Sequence, residues 1–232
     1  MKKKLLCIVL AAALLLGILV PGTALANDNK PAPPKAVTEF MAEMTVTWIE
    51  DTILYVNVIP RYGDGSIIPP EVLQTYNQPP DYLPYPADMT WEVINRQMTG
   101  VITGSFEGTI TVTYSGILNV CQAGGISGSM VIDTRPGTNR GIIYGTFEGY
   151  TATVYYNPPI VKVIFLDDMV LSGGTGIYKH ISGQGNFGTA EPIQLTVDVA
   201  GHVIGIEGSM SMSGTYNRNT KPVKHMWKNK GQ

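Results

Sequence analysis

One stretch of the sequence decides the fold: Val170-Leu171-Ser172-Gly173-Gly174-Thr175-Gly176-Ile177-Tyr178. An apolar run over residues 161–171 leads into it, and Gly183, Gly185 and Phe187 follow it. Three glycines in four residues mark a sharp chain reversal, because glycine adopts positive φ at little steric cost. The stretch therefore predicts a strand, a glycine turn and a second strand. The glycines after the turn predict bulges or bends that let a sheet coil and close.

The rest of the chain repeats this β character. Apolar and polar residues alternate over residues 40–49 and 53–59, which predicts two strands joined by a short turn as a first hairpin. Further strands are predicted at residues 109–114, 124–132, 151–156, 193–199 and 203–216. Glycine and proline punctuate nearly every segment, and no window has a convincing helical period. We predict a single all-β domain over residues 39–217, an antiparallel closed barrel of about eight strands.

An internal repeat supports recurrent hairpins. Residues 100–108 recur as residues 141–149, and a looser copy follows at 181–188. These copies are too few to close a propeller or to stack a solenoid core, so one barrel fits better. Glu107 and Glu148 hold the same place in the two copies, which favours a structural turn role for both over catalysis.

The glycine pattern resembles the signature of the allene oxide cyclase and dirigent superfamily. The matching residues are Leu171, Gly173, Gly174, Thr175, Gly176, Tyr178, Gly183 and Gly185. The resemblance implies an eight-stranded antiparallel, calycin-like β-barrel around an apolar cavity. It gives the turn residues, from Gly173 to Gly176, a structural role. The catalytic motifs of that superfamily do not align beyond these glycines, so the resemblance assigns no catalytic residue here.

Residues 60–90 are rich in proline and tyrosine. Proline cannot donate to a sheet ladder, so this segment is predicted to be a long loop rather than a central strand. Tyr76, Tyr82 and Tyr85 are the candidate ligand-binding residues of a lid over the barrel mouth. The alternative is a stiff surface excursion that packs against the barrel wall.

Asp167 and Asp168 are the candidate catalytic residues. Adjacent residues of a strand face opposite sides of the sheet, so one of the two carboxylates is expected to point inward. An inward carboxyl in an apolar interior would have a raised pKa, suiting a general acid or a ligand anchor. The alternative is that a bulge turns both side chains to solvent.

The pattern of the N-terminal residues predicts a secretory signal peptide over residues 1–26. Three lysines at Lys2, Lys3 and Lys4 precede an apolar run over residues 5–20, and a small-residue site ends at Ala26. Cleavage after Ala26 predicts a secreted or extracytoplasmic protein without a stable membrane span, followed by a flexible leader over residues 27–38. An uncleaved membrane anchor is the alternative.

Charge and cysteine content limit the partners. The full chain has 16 basic and 18 acidic side chains, and removal of the predicted signal peptide takes away three of the lysines. The acidic side chains of the mature chain then clearly outnumber the basic ones, which makes nucleic acid a poor partner. Cys121 is then the remaining cysteine, so no disulfide forms within one chain. It is either a small buried residue or a thiol that joins two chains into a homo-oligomer. The basic tail over residues 218–232 is either a solvated terminus or a contact for acidic polymers or headgroups.

The sequence predicts no metal site and no cofactor. His180, His202 and His225 lack partners at ligand spacing, and nucleotide-binding and serine-nucleophile fingerprints are not present. Three functions stay open. They are a secreted barrel that binds a small apolar or aromatic ligand, an isomerase or cyclase of the resembled superfamily, and a non-enzymatic surface or matrix component. A hollow barrel would favour the first, and a filled one the third.

Overall fold

The computed structural model describes residues 37–50, 53–76, 83–120, 122–138, 140–157, 159–198 and 203–218. The predicted signal peptide, most of the leader, the basic tail beyond 218, Tyr82 and Cys121 lie outside the described residues.

The described chain contains eleven strands and three very short helices. The strands are β1 (Val37–Ile49), β2 (Val58–Arg61), β3 (Thr90–Gly104), β4 (Gly108–Asn119), β5 (Gly124–Asp133), β6 (Ile142–Asn157), β7 (Ile160–Gly174), β8 (Ile181–Gly188), β9 (Ile193–Val197), β10 (Val203–Glu207) and β11 (Ser209–Arg218). The helices are α1 (Pro70–Leu73), α2 (Arg135–Thr138) and a 3-10 turn (Gly176–Tyr178). All eleven strands belong to one sheet, and every paired ladder is antiparallel. The prediction of an all-β antiparallel fold is confirmed.

Eight of the strands pair in a continuous order. Starting at β1, the neighbours are β3, β4, β5, β6, β7, β8 and β11, and β11 pairs in turn with β1. The other three strands lie beside this series: β2 pairs with β3, β9 with β7, and β10 with β9. Strand β7 divides its length between two partners, since its first residues pair with β9 and its later ones with β8. The sheet therefore branches at β7.

The glycine stretch forms the predicted strand, turn and strand. Leu171 of β7 lies opposite Gly183 of β8. Gly176 has φ of 57°, and a Cβ on it would collide with the backbone oxygen of Arg140. Thr175 holds the turn to the start of β6, since its hydroxyl accepts a hydrogen bond of 2.9 Å from the backbone N–H of Ile142. The turn therefore needs glycine at Gly176 for both conformation and space.

Large side chains occupy the inward positions of the strands. Buried members of this core include Phe40, Met44, Phe106, Met130, Phe147, Met169, Tyr178, Phe187, Met210 and Met212. Glycines on neighbouring strands make room for them: the ring of Phe147 lies where a Cβ on Gly128 would be, and the side chain of Met44 lies over Gly100. Phe106 packs against Phe40 and Tyr216, with ring centroids 5.3 Å and 5.9 Å away. Inward glycines and large residues thus pack as complementary shapes.

The predicted first hairpin is wrong. Strand β1 pairs with β3 and β11, and the segment before β2 is a turn rather than a strand. Tyr55 has φ of 66°, and the N–H of Val58 bonds to the oxygen of Ile53 at 3.3 Å, so the chain reverses where alternation predicted extension. Strand β1 also begins earlier than the leader boundary allowed, because Val37 and Thr38 already pair with β11.

The two repeat copies fold differently. The first spans the end of β3 and the turn to β4, where Gly104 and Gly108 have φ of 97° and 150°. The second lies mostly inside β6, so Glu148 is an exposed strand residue while Glu107 sits in the turn. The shared turn role therefore fails for Glu148. The common constraint is the buried phenylalanine of each copy, Phe106 and Phe147.

Two glycines of β5 test this packing. We expect Gly128→Ala to lower the free energy of unfolding by about 1–3 kcal/mol, because the new methyl overpacks the Phe147 ring and the Thr113 oxygen. The matched control is Gly125→Ala on the same strand, where a Cβ meets only the Gly149 oxygen at 3.8 Å. Urea denaturation measures both. Equal stability of the two variants would contradict the packing account.

Candidate functional site

Strand β7 separates the two aspartates. Phe165, Asp167 and Met169 are buried, while Leu166 and Asp168 are exposed. This alternation places Asp167 on the inner face of the sheet and Asp168 on the outer face, so the alternative in which both reach solvent is wrong. The two candidate catalytic residues therefore belong to different environments.

Asp167 is a buried carboxyl group with 5% of its surface exposed. It lies between Gly149 of β6 and Phe187 of β8 in the cross-strand register. Its Oδ1 is packed against the Cα of Gly149, where a side chain at that position would collide with it. A glycine on β6 thus provides the space that the Asp167 carboxyl occupies.

The protonation of Asp167 follows from this burial. Burial raises the pKa of Asp167 to about 7, the nearby backbone N–H of Tyr150 opposes the rise, and the charge of Asp168 adds to it. Neither carboxyl oxygen has a hydrogen-bond partner, so the N–H of Tyr150 acts through proximity rather than through a well-formed bond. A carboxyl that titrates near neutral pH can both give and take a proton.

A groove lies on the opposite, outer side of β7. Its volume is about 390 Å³, and strands β6, β7, β8 and β11 contribute to it. Asp168 is part of its lining, together with Glu148, Asn186 and Ser213. The sequence did not point to this groove, because it depends on the register of four strands.

The tyrosine-rich segment packs against one end of the core. Tyr85 meets Trp91 of β3 edge to face, with ring centroids 5.5 Å apart, and Tyr76 lies 5.9 Å from Tyr85. Both tyrosines are partly buried against the core, as the wall-packing alternative describes. The segment is not a plain loop, since it includes the last residues of β2 and helix α1. Tyr82 lies outside the described residues.

Further aromatic side chains join this cluster. Tyr62 shares a hydrogen bond with Tyr76, and burial first, then Tyr76, raise the pKa of Tyr62. Burial and the neighbouring Tyr85 raise the pKa of Tyr156, which comes from the end of β6. Trp91 itself is 8% exposed, and its indole Nε1–H has no hydrogen-bond partner. The sequence analysis did not single out Trp91, because its tyrosine neighbours depend on how the segment folds back.

Other predicted residues lie apart from these features. Gly173, Gly174, Thr175 and Gly176 form the turn that leads into β8. His180 follows that turn and is exposed. His202 and His225 lie outside the described residues. Across the parts of the chain that the structure describes, no group of three or more His, Cys, Asp or Glu side chains is placed to hold a metal ion. Within the same residues, no helix has the length and apolar character to cross a membrane.

No protein-family model, curated protein or solved structure matches the chain. The resemblance to the allene oxide cyclase and dirigent superfamily therefore stays a prediction that depends on the glycine motif.

The pH dependence of stability tests the Asp167 environment. Because the folded-state pKa is raised from 3.8 to about 7, the contribution of Asp167 to stability is complete below about pH 4 and is lost as the pH rises through about 7. The upper limit of this loss is about 4 kcal/mol. We expect Asp167→Asn to remove it, so that the variant gains stability relative to the wild type between pH 4 and pH 8.

Urea denaturation at pH 4, 5.5 and 8 measures the difference. Glu43→Gln is the matched control, because Glu43 is an exposed acidic residue of β1. If the wild type and Asp167→Asn change in parallel across this pH range, the carboxyl does not titrate in a buried site.

Proposed function

We propose that this protein is a secreted β-barrel protein that binds a small apolar or aromatic ligand at the end covered by the tyrosine-rich segment. The series of eight strands supports the barrel, since the pairings run from β1 through β7 and β8 to β11 and back to β1. The remaining strands, β2, β9 and β10, extend the sheet beside this ring.

The unpartnered Nε1–H of Trp91 is the observation that carries the ligand proposal. A buried donor left without an acceptor costs about 1–3 kcal/mol, so a ligand oxygen placed there would recover free energy. Tyr85 stands beside the indole and Tyr76 stands beside Tyr85, and both rings offer aromatic surfaces to a flat ligand. The ligand class that fits is an aromatic molecule with an oxygen acceptor.

The packing of the core supports a ligand at the end of the proposed barrel rather than in its centre. Large side chains such as Met44, Phe147 and Phe187 occupy the inward positions of the middle of the strands. A ligand in a central cavity, as the resemblance implies, would have to displace them. The aromatic end needs only movement of the segment that carries Tyr76 and Tyr85.

Native mass spectrometry of the mature chain, purified from its own host, is the direct test. A small aromatic molecule released on organic extraction would support the proposal. The ligand proposal fails if only the bare chain appears and if simple phenols and fatty acids leave its melting temperature unchanged. A non-enzymatic surface component would then be the better-supported hypothesis.

Trp91→Phe tests the position of the ligand. We expect the affinity for the released molecule, or for the phenol that raises the melting temperature, to fall about 3–10-fold, the value of one neutral hydrogen bond. Isothermal titration calorimetry measures the change. Trp48→Phe is the matched control, since Trp48 is 46% exposed. Unchanged binding by Trp91→Phe would place the ligand elsewhere.

An isomerase or cyclase of the resembled superfamily is the second candidate function, and the protonatable carboxyl of Asp167 favours it. A pKa of about 7 suits a general acid or base at neutral pH. Conversion of the bound molecule by the wild type, with loss of conversion but not of binding in Asp167→Asn, would support this reading. Binding without conversion in the wild type would oppose it.

The secretion proposal has its own test. N-terminal sequencing of the protein recovered from outside the cytoplasm is expected to begin at Asn27, after the Ala24-Leu25-Ala26 site. A protein that keeps Met1 and stays with the membrane would support the uncleaved anchor instead.

A further inference from the structure

We propose that a polar pocket at the end of the sheet opposite Trp91 binds a small free α-amino acid, whose carboxylate meets Arg140 and whose ammonium group meets Glu107. Strand β3 has Trp91 near its start and Gly104 at its end, and Gly104 lines this pocket. The pocket is therefore separate from the aromatic cluster around Trp91. It does not depend on the function proposed above.

The pocket lies where three chain reversals meet. It is lined by Gly104, Ser105 and Glu107 of the turn from β3 to β4, by Thr138 of α2, by Arg140, and by Tyr178 of the 3-10 turn. Its volume is about 170 Å³. At about 30 Å³ for each molecule of liquid water, this is room for roughly six waters. A ligand of about five to seven non-hydrogen atoms fits, which is the size of glycine, alanine or serine.

The core fixes the backbone of Glu107. The neighbouring Phe106 is 1% exposed, and its ring meets that of Tyr178 edge to face with centroids 6.2 Å apart. Because Phe106 points inward, Ser105 and Glu107 on either side of it are exposed, and both line the pocket. Glu107 is also packed against α2, since a Cβ on Gly137 would lie 2.9 Å from its carbonyl oxygen. The carboxylate of Glu107 therefore extends from a backbone that is held on two sides.

The backbone of Arg140 is held between two turns. The N–H and the hydroxyl of buried Thr134 both donate to the carbonyl oxygen of Gly141, at 2.9 Å and 2.7 Å. The carbonyl oxygen of Arg140 accepts a hydrogen bond of 3.0 Å from the N–H of Ile177 in the 3-10 turn. The fold thus positions this residue before any ligand arrives, which lowers the entropy cost of binding.

The pocket carries one charge of each sign. Arg140 and Glu107 both line it, and among the described residues no salt bridge joins them to each other or to another side chain. The neighbouring cation, Arg135, is paired with Asp133 at 2.6 Å and so does not compete for Glu107. A cation and an anion that line one small pocket without pairing leave room between them for a ligand with both charges. Such a ligand forms charge-assisted hydrogen bonds at both ends.

Two hydroxyl groups complete the match. The Oγ of Ser105 accepts a hydrogen bond of 3.1 Å from the N–H of Met41, so its O–H can donate to a carboxylate. The hydroxyl of Thr138 donates to the carbonyl oxygen of Thr134 at 3.2 Å, so its oxygen can accept from an ammonium group. The pocket therefore adds one donor and one acceptor to its two charges, as an amino acid requires.

The test is a titration of the mature chain with glycine and with L-alanine, followed by NMR chemical-shift changes at pH 6.5. We expect saturable changes at residues 104–107, 138, 140 and 176–179, with a Kd of about 1 mM or below. Glycinamide has the ammonium group without the carboxylate, and acetate has the carboxylate without the ammonium group. We expect each to bind at least about fivefold more weakly than glycine.

L-phenylalanine tests the size of the pocket, because its ring exceeds the available volume and it is expected to leave these residues unshifted. Two results would overturn the proposal. One is the lack of saturation by either small amino acid at about 50 mM. The other is binding of glycinamide, acetate or phenylalanine as tight as that of glycine.

Variants locate the site. Arg140→Gln and Glu107→Gln are each expected to weaken glycine binding at least about fivefold, because each removes one charged partner. The matched controls are Lys179→Gln and Glu39→Gln, since both residues are exposed and neither lines the pocket. Thermal melts establish that each variant is folded. Glycine binding that survives in Arg140→Gln or in Glu107→Gln, or that falls equally in the controls, would overturn the assignment.

Discussion

Strand β8 is the element on which the rest of the sheet depends. It pairs with β7 on one side and with β11 on the other, and so connects a local hairpin to strands far away in the sequence. Its close approach to β11 requires glycine: a Cβ on Gly183 would meet the side chain of Tyr216, and one on Gly185 would collide with the backbone of Ser213. The hydrogen bonds of β8 thus join the two ends of the strand series, because small residues let the backbones and the large inward side chains fit together.

The core is packed in the same way, with small residues on one strand facing large side chains of its neighbour. Inward glycines such as Gly128 leave room for a neighbouring ring, and the interior is rich in phenylalanine, methionine and branched aliphatic side chains. Methionine is flexible enough to fill irregular gaps, which suits a core whose partners alternate between glycine and aromatic rings. Because large side chains fill the middle of this core, the proposed site for the aromatic ligand is near Trp91 at the end of the strands. Among the buried residues that the structure describes, Asp167 is the one acidic side chain, and the space for its carboxyl comes from Gly149.

The two faces of β7 carry different chemistry. Inward, Asp167 is held in apolar surroundings that favour its neutral form. Outward, Asp168 stands opposite Glu148 in the groove. Because adjacent residues of one strand are only a few ångströms apart, the charge of Asp168 acts on Asp167 through the sheet. The two faces of β7 are therefore electrostatically linked.

The sequence by itself determined the features that depend on neighbouring residues. Alternation predicted most strands, the Gly173–Gly176 stretch predicted the turn into β8, and strand geometry predicted that Asp167 and Asp168 face opposite sides. These follow from backbone preferences and a period of two, which are local. The tertiary structure alone decided which strands pair, that residues 53–57 turn while β1 joins β11, and that one repeat copy bends where the other stays extended. It also brought Trp91 under Tyr85 and aligned Glu148, Asp168 and Asn186 in one row. Each of these depends on the register between distant segments, which packing of the whole core sets and no single stretch of sequence contains.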